Sequence, residues 1–147
     1  MDEMNPFHRR LAMWLTYAGI LPPWLALAIA QVTDVPWLGF AALIYGAVIA
    51  SFVCGMQWST YLHSGSGAPV NLLITSNAGA LIAWVLVVAS LWSNPLAFAG
   101  LALLLLALLY IDRRSFAAGV LPSWFWPLRR NATIGLGAGL FAWALLG

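Results

Sequence analysis

Residues 95–111 read PLAFAGLALLLLALLYI, and the next three are Asp112, Arg113 and Arg114. The run carries no charge, and its Leu101–Tyr110 stretch is rich in Leu and Ala on every side of a helix. A helix apolar all round belongs in a core or in lipid. Its length sits near the lower limit of about 17 residues for crossing hydrocarbon. Working outward, the same pattern recurs at Leu11–Gln31, Leu38–Leu62, Val70–Trp92 and Ala132–Gly147.

Composition agrees with that pattern. Of 147 residues, 63% are hydrophobic and 7% charged, with a mean hydropathy of +0.92. A soluble domain is about 25% charged, so this chain cannot cover a water-facing surface. Soluble enzymes, nucleic-acid binders and disordered tails are excluded. The expected fold is an all-α integral membrane protein, one domain over residues 1–147. It is a bundle of five transmembrane helices at about 11–31, 38–62, 70–92, 95–111 and 132–147, with an interfacial inner loop at 112–131.

The orientation follows from arginine. The basic residues are Arg9, Arg10, Arg113, Arg114, Arg129 and Arg130, and the acids are Asp2, Glu3, Asp34 and Asp112. With the N-terminus cytoplasmic and the C-terminus outside, every Arg lies inside and only Asp34 lies outside, as the positive-inside rule requires. A pI near 9.1 then points to anionic lipid surfaces and away from nucleic acid. The Arg-only, Ala/Leu/Gly-rich composition points to a bacterial inner membrane. Trp37, Trp92 and Trp143 at outer span ends, with Trp124 and Trp126 inside, read as an aromatic belt.

Pro22 and Pro23 fall mid-span, so the first helix kinks or breaks there. Arg9-Arg10, the apolar run and Ala28-Ile29-Ala30 imitate a signal peptide, but the reading adopted is a retained helix. Close helix contacts in lipid use small residues. Ala47, Ser51, Gly55 and Ser59 form one such seam, Gly79 and Ala83 another, and Gly135 and Gly139 a GxxxG pair. The GxxxG pair also allows a homo-oligomer.

No acidic, basic or His residue falls well inside a span on these boundaries, which argues against a pump or proton-coupled carrier. His8, His63 and Cys54 share no close ligand spacing, so no metal site and no cofactor is read. The neutral polar residues Tyr17, Gln57 and Asn77 fall about 10 Å to the cytoplasmic side of their helix centres. With Trp58 and the Pro22 kink they form the candidate ligand site. Structurally, the same residues serve as interhelical hydrogen-bond glue. In the inner loop, Asp112, Arg113, Arg114, Trp124, Trp126, Arg129 and Arg130 form a membrane-interface or partner surface. Asp112 is expected to pair locally or cap a helix end there, and Pro122 and Pro127 to limit helix to short pieces.

Several stretches resemble a family of small membrane proteins, the domain of unknown function thirty-four twenty-nine, related to a mitochondrial transmembrane protein sixty-nine. They are LTYAGILPPWLALAIA at Leu15–Ala30, YGAVIASFVCGMQWS at Tyr45–Ser59, SNAGALIAWVLVV at Ser76–Val88, YIDRRSFAAGVLPSWFWPLR at Tyr110–Arg129, and the closing helix. The resemblance implies a multi-helix inner-membrane protein and supplies no catalytic residue. Where such proteins tend to carry His before the Trp of the second span, this chain has Gln57-Trp58.

The expected function is therefore a non-enzymatic accessory or assembly protein, with catalytic residues none. Its partners are membrane lipids and another membrane protein, met through small-residue seams and the inner loop. The alternative is a binder or carrier of an apolar small molecule, a lipid, quinone or tetrapyrrole, in an intramembrane cavity.

Overall fold

The computed structural model describes residues 6–64 and 71–146, with the Ser64 side chain left aside. The expected turn linker at Gly65–Gly67, the start of the third span at Val70, and Asp2 and Glu3 lie outside the described residues. Six helices follow in order: α1 Pro6–Ala18, α2 Leu21–Val32, α3 Leu38–Ser64, α4 Leu72–Ala89, α5 Asn94–Ala117 and α6 Phe125–Leu146. Four segments are long and apolar enough to cross a membrane: Pro6–Val32 taken together, Leu38–His63, Leu72–Ala89 and Asn94–Ala117. With large apolar side chains such as Phe52, Trp84 and Leu103 facing outward, this is a multi-pass helical membrane protein.

The break in the first span falls where the prolines demand it. Both sit in the first turn of α2, where a missing N–H costs nothing because first-turn donors have no partner within the helix. Continuing the helix would have required Pro23 to donate to Gly19. The Gly19 carbonyl instead accepts the Tyr45 hydroxyl of α3 at 2.5 Å. One turn later, Trp143 Nε1 donates to the Pro23 carbonyl at 2.9 Å.

The region 112–131 corrects the sequence reading most. It is not a loop. Helix α5 runs on through Asp112 to Ala117 and closes on Gly119, whose φ of 81° only glycine adopts without strain. Val120 N–H then donates to Ser115 O and Gly119 N–H to Phe116 O, the paired bonds of a Schellman cap. Helix α6 starts at Phe125 and accommodates Pro127 in its first turn, so that proline does not restrict it. With Arg129, Arg130 and Asn131 near its start, α6 is not among the four membrane-capable segments found in the described residues.

Helices α5 and α6 lie side by side in opposite senses. At one end Phe98 stacks on Trp143 with ring centroids 5.5 Å apart; at the other Asp112 pairs with Arg129. Trp143, expected in the outer belt, is instead 5% exposed and part of the core. Its ring gains more from Phe98 and a carbonyl partner than from the headgroup level.

The expected seams divide. Gly135 and Gly139 do pack within the bundle: a Cβ at either would lie 2.8 Å from Ile20 or 3.0 Å from Trp24. Trp24 Nε1 donates to Gly135 O at 2.9 Å. Gly79 is equally tight against Cys54 Sγ, at 2.8 Å. The α3 stripe goes the other way, since Ser51, Gly55 and Ser59 face outward and a Cβ at Gly55 would meet nothing within 4 Å. The face of α3 that packs inward carries Leu43, Ala50, Cys54 and Gln57.

Candidate functional site: a buried ion pair beside an apolar cavity

Because α5 continues past Asp112 and α6 begins before Arg129, the short turn between them folds the two charges onto each other. Arg129 Nε donates to Asp112 Oδ2 at 2.8 Å, and both side chains are under one-tenth exposed. Gln57 of α3 donates from Nε2 to the other carboxylate oxygen, Oδ1, at 3.3 Å. The Thr75 hydroxyl of α4 lies 3.5 Å from Gln57 Oε1 and 3.3 Å from Leu72 O. Arg129 Nη1 donates to Thr133 Oγ1 one turn along α6. Four helices thus meet at one polar cluster.

Burying an isolated charge is prohibitively expensive, so buried charges come paired. Here the carboxylate and the guanidinium cancel, and Gln57 and Thr133 occupy further bonding positions. The cluster is nonetheless incomplete. Arg129 Nη2, Trp124 Nε1 and Ser115 Oγ are buried without a hydrogen-bond partner among the described residues. Leaving a buried donor unpaired costs roughly 1–3 kcal/mol.

Two of those three residues line the same cavity. It is a half-open cleft of about 430 Å³ between α1, the Gly19–Ile20 break, α3 and the start of α6. Its walls are Leu15, Ile20, Phe52, Val53, Met56, Leu128 and Leu136, together with Trp124 and Arg129. Thr16 is the other polar side chain on the wall, and its hydroxyl is committed to Ala12 O at 2.6 Å. An apolar cleft lined by two residues that carry unpaired buried nitrogens is the candidate small-molecule site. The family model matches residues 8–145.

The chain belongs to the family described as protein of unknown function (DUF3429). No curated protein and no solved structure matches it. The region matched to DUF3429 includes α3, α4 and α5 whole and α6 as far as Leu145, so every residue of the ion-pair cluster and cavity lies inside it.

The residues singled out from sequence are distributed unevenly around this site. Gln57 is at its centre, 2% exposed. Asn77 is not: it is exposed and donates to Leu73 O of its own helix at 2.7 Å. Tyr17 accepts from Asn131 Nδ2 at 3.1 Å, which ties α1 to α6 outside the cluster. Trp58 points outward, and Pro22 is exposed while Pro23 is buried. The expected convergence of Tyr17, Gln57 and Asn77 therefore does not occur, because a shared depth does not bring side chains onto one face.

Asp112 and Arg129 also leave the membrane-interface set. Asp112 neither pairs with its neighbouring arginines nor caps an end, and it lies within the membrane-capable segment Asn94–Ala117, past the expected end of the fourth span at 111. Arg113, Arg114 and Arg130 stay exposed. Trp126 is half-buried and stacks on Phe116 at 5.8 Å between centroids. Arg113, Phe116, Trp126 and Arg130 line a separate shallow recess there.

Proposed function

We propose that this protein is a non-enzymatic carrier or binder of an amphipathic small molecule, held in the cavity between α1, α3 and α6. The observation that carries this reading is the pair of unpaired buried donors, Trp124 Nε1 and Arg129 Nη2, on residues lining an otherwise apolar chamber. A cavity of about 430 Å³ lies within the 300–1,000 Å³ usual for ligand pockets. Asp112 is paired with Arg129 and has no activated nucleophile beside it, which favours binding over catalysis.

In this reading α6 is the fifth membrane crossing. It matches α5 from the Phe98–Trp143 stack to the Asp112–Arg129 pair, about 21 Å of helix at 1.5 Å per residue. The N-terminus is cytoplasmic and the C-terminus outside, since this gathers Arg9, Arg10, Arg113, Arg114, Arg129 and Arg130 on the inner side. Composition favours a bacterial inner membrane. The cavity and the ion pair then lie toward the cytoplasmic end.

Native mass spectrometry of the protein released with its surrounding lipid tests the reading. The expected result is a reproducible small-molecule adduct that is lost in Ala132→Phe, which fills the chamber. A bare chain, or an adduct indifferent to Ala132→Phe, would contradict it. One observation favours the accessory role as a second reading: the outward stripe of Ser51, Gly55 and Ser59 leaves α3 open to close approach by another helix. Recovery of the chain only with another membrane protein, lost in Gly55→Leu, would support that role.

A further inference from the structure

The arginines outside the buried pair have a geometry of their own. Arg113, Phe116 and Ala117 follow one face of α5 at steps of three and four, and Trp126 and Arg130 follow one face of α6 at a step of four. The hairpin brings those two faces together around a recess of about 350 Å³. We propose that this recess seats the phosphate of an anionic phospholipid headgroup. Arg113 and Arg130 supply the positive charge, and the Phe116–Trp126 stack meets the glycerol and the upper part of the chains. The recess shares no residue with the cleft between α1, α3 and α6, so the two sites stand or fall separately.

Charge points to an anion. The recess is lined by two exposed arginines and no carboxylate. Asp112, next to Arg113 in the chain, is turned into the bundle and paired with Arg129. Asp34, the other acid among the described residues, comes just before α3. The first turn of α3 lies at the far end of the hairpin, where a Cβ at Gly39 would be 3.4 Å from the Trp143 ring. Among the described residues, the Arg113 side chain therefore has no ion-pair partner. Arg130 commits only Nε, which donates to Asn131 Oδ1 at 3.3 Å. Guanidinium groups in this condition bind phosphate by charge and by hydrogen bonds at once.

Depth selects a lipid over a soluble phosphate. The uncharged run Pro95–Ile111 makes about 25 Å of helix at 1.5 Å per residue, close to the ~30 Å of hydrocarbon in a bilayer. Arg113 follows that run by two residues, which sets the recess at the level of the headgroup phosphates. Phe116 and Trp126, both half-buried and stacked with centroids 5.8 Å apart, suit the same level, where aromatic rings meet both chains and headgroups. A soluble phosphate would meet the arginines and leave this aromatic wall uncovered.

Native mass spectrometry of the delipidated full chain in detergent tests the proposal with three probes: dioleoyl-phosphatidylglycerol, dioleoyl-phosphatidylcholine and glycerol 3-phosphate. Phosphatidylglycerol should fill one site per chain and bind at least tenfold more tightly than phosphatidylcholine. Arg113→Gln and Arg130→Gln should each weaken it about fivefold, the factor equivalent to about 1 kcal/mol per arginine at an anionic surface. The double variant should weaken it further, and both positions are exposed, so the core is left intact. Arg10→Gln removes one positive charge from α1, outside the recess, and should weaken it less than twofold. Equal binding of the two lipids would overturn the proposal, as would phosphatidylglycerol held undiminished by the double variant. An equal loss in Arg10→Gln would replace the site with diffuse attraction to the basic end of the molecule. Glycerol 3-phosphate binding as tightly as phosphatidylglycerol would overturn the lipid as the source of the phosphate.

Discussion

The α5–α6 hairpin ends in two tryptophans with opposite fates. At one end Trp143 is 5% exposed, stacks on Phe98, and gives its N–H to the Pro23 carbonyl at 2.9 Å. At the other, Trp124 Nε1 is buried with no hydrogen-bond partner among the described residues, and so is Arg129 Nη2. Both ends join the same two helices, and both bury aromatic surface. Only the first has completed its bonding. A fold that satisfies one indole at a proline break and leaves the other unpaired, on a residue that lines the cleft, makes the two ends chemically unlike.

Removing the buried charge at the Trp124 end should have the largest effect. Arg129→Met leaves Asp112 buried without its partner, and breaking a buried pair this way costs about 3–5 kcal/mol. Thermal unfolding in detergent should register that loss, and Asp112→Leu together with Arg129→Met should recover most of it. If the single and double variants are equally unstable, the pair is not what holds α5 to α6 at that end.

A smaller effect separates the two neutral amides picked out by their depth. Gln57→Leu should cost about 0.6–1.7 kcal/mol, in the range of interhelical hydrogen bonds in membranes, because it removes the contact to Asp112 Oδ1. Asn77→Leu should change stability by less than about 0.5 kcal/mol, as substitutions at outward positions do. The same unfolding assay checks both, and equal costs would mean that Asn77 belongs to the cluster after all.

How much of this was legible beforehand follows from which forces act locally. The apolar runs mark α3, α4 and α5, since hydrophobic length is a property of consecutive residues. The break before Pro22 and Pro23 is equally local, and so is the GxxxG spacing of Gly135 and Gly139, though not the identity of the residues they pack against. The ion pair is not. Asp112 lies seven residues before Gly119 and Arg129 seven after Pro122, so a hairpin closing on that turn brings them together. Reading the charges as the end of a span hid this symmetry, because charged residues can continue a helix as readily as they terminate a hydrophobic stretch. Depth arithmetic likewise placed Gln57 and Asn77 at one level without fixing which way either faced, and Gln57 alone turned inward.

The contrast between the two tryptophans is tested most directly by substituting each with Phe and measuring unfolding and native adduct mass side by side. Trp143→Phe should lose about 1 kcal/mol of stability with its bond to Pro23 and retain the adduct. Trp124→Phe should unfold like the unaltered chain, having no bond to lose, and release the adduct more readily. An adduct lost from Trp143→Phe and kept by Trp124→Phe would contradict the account, placing the ligand at the opposite end of the hairpin.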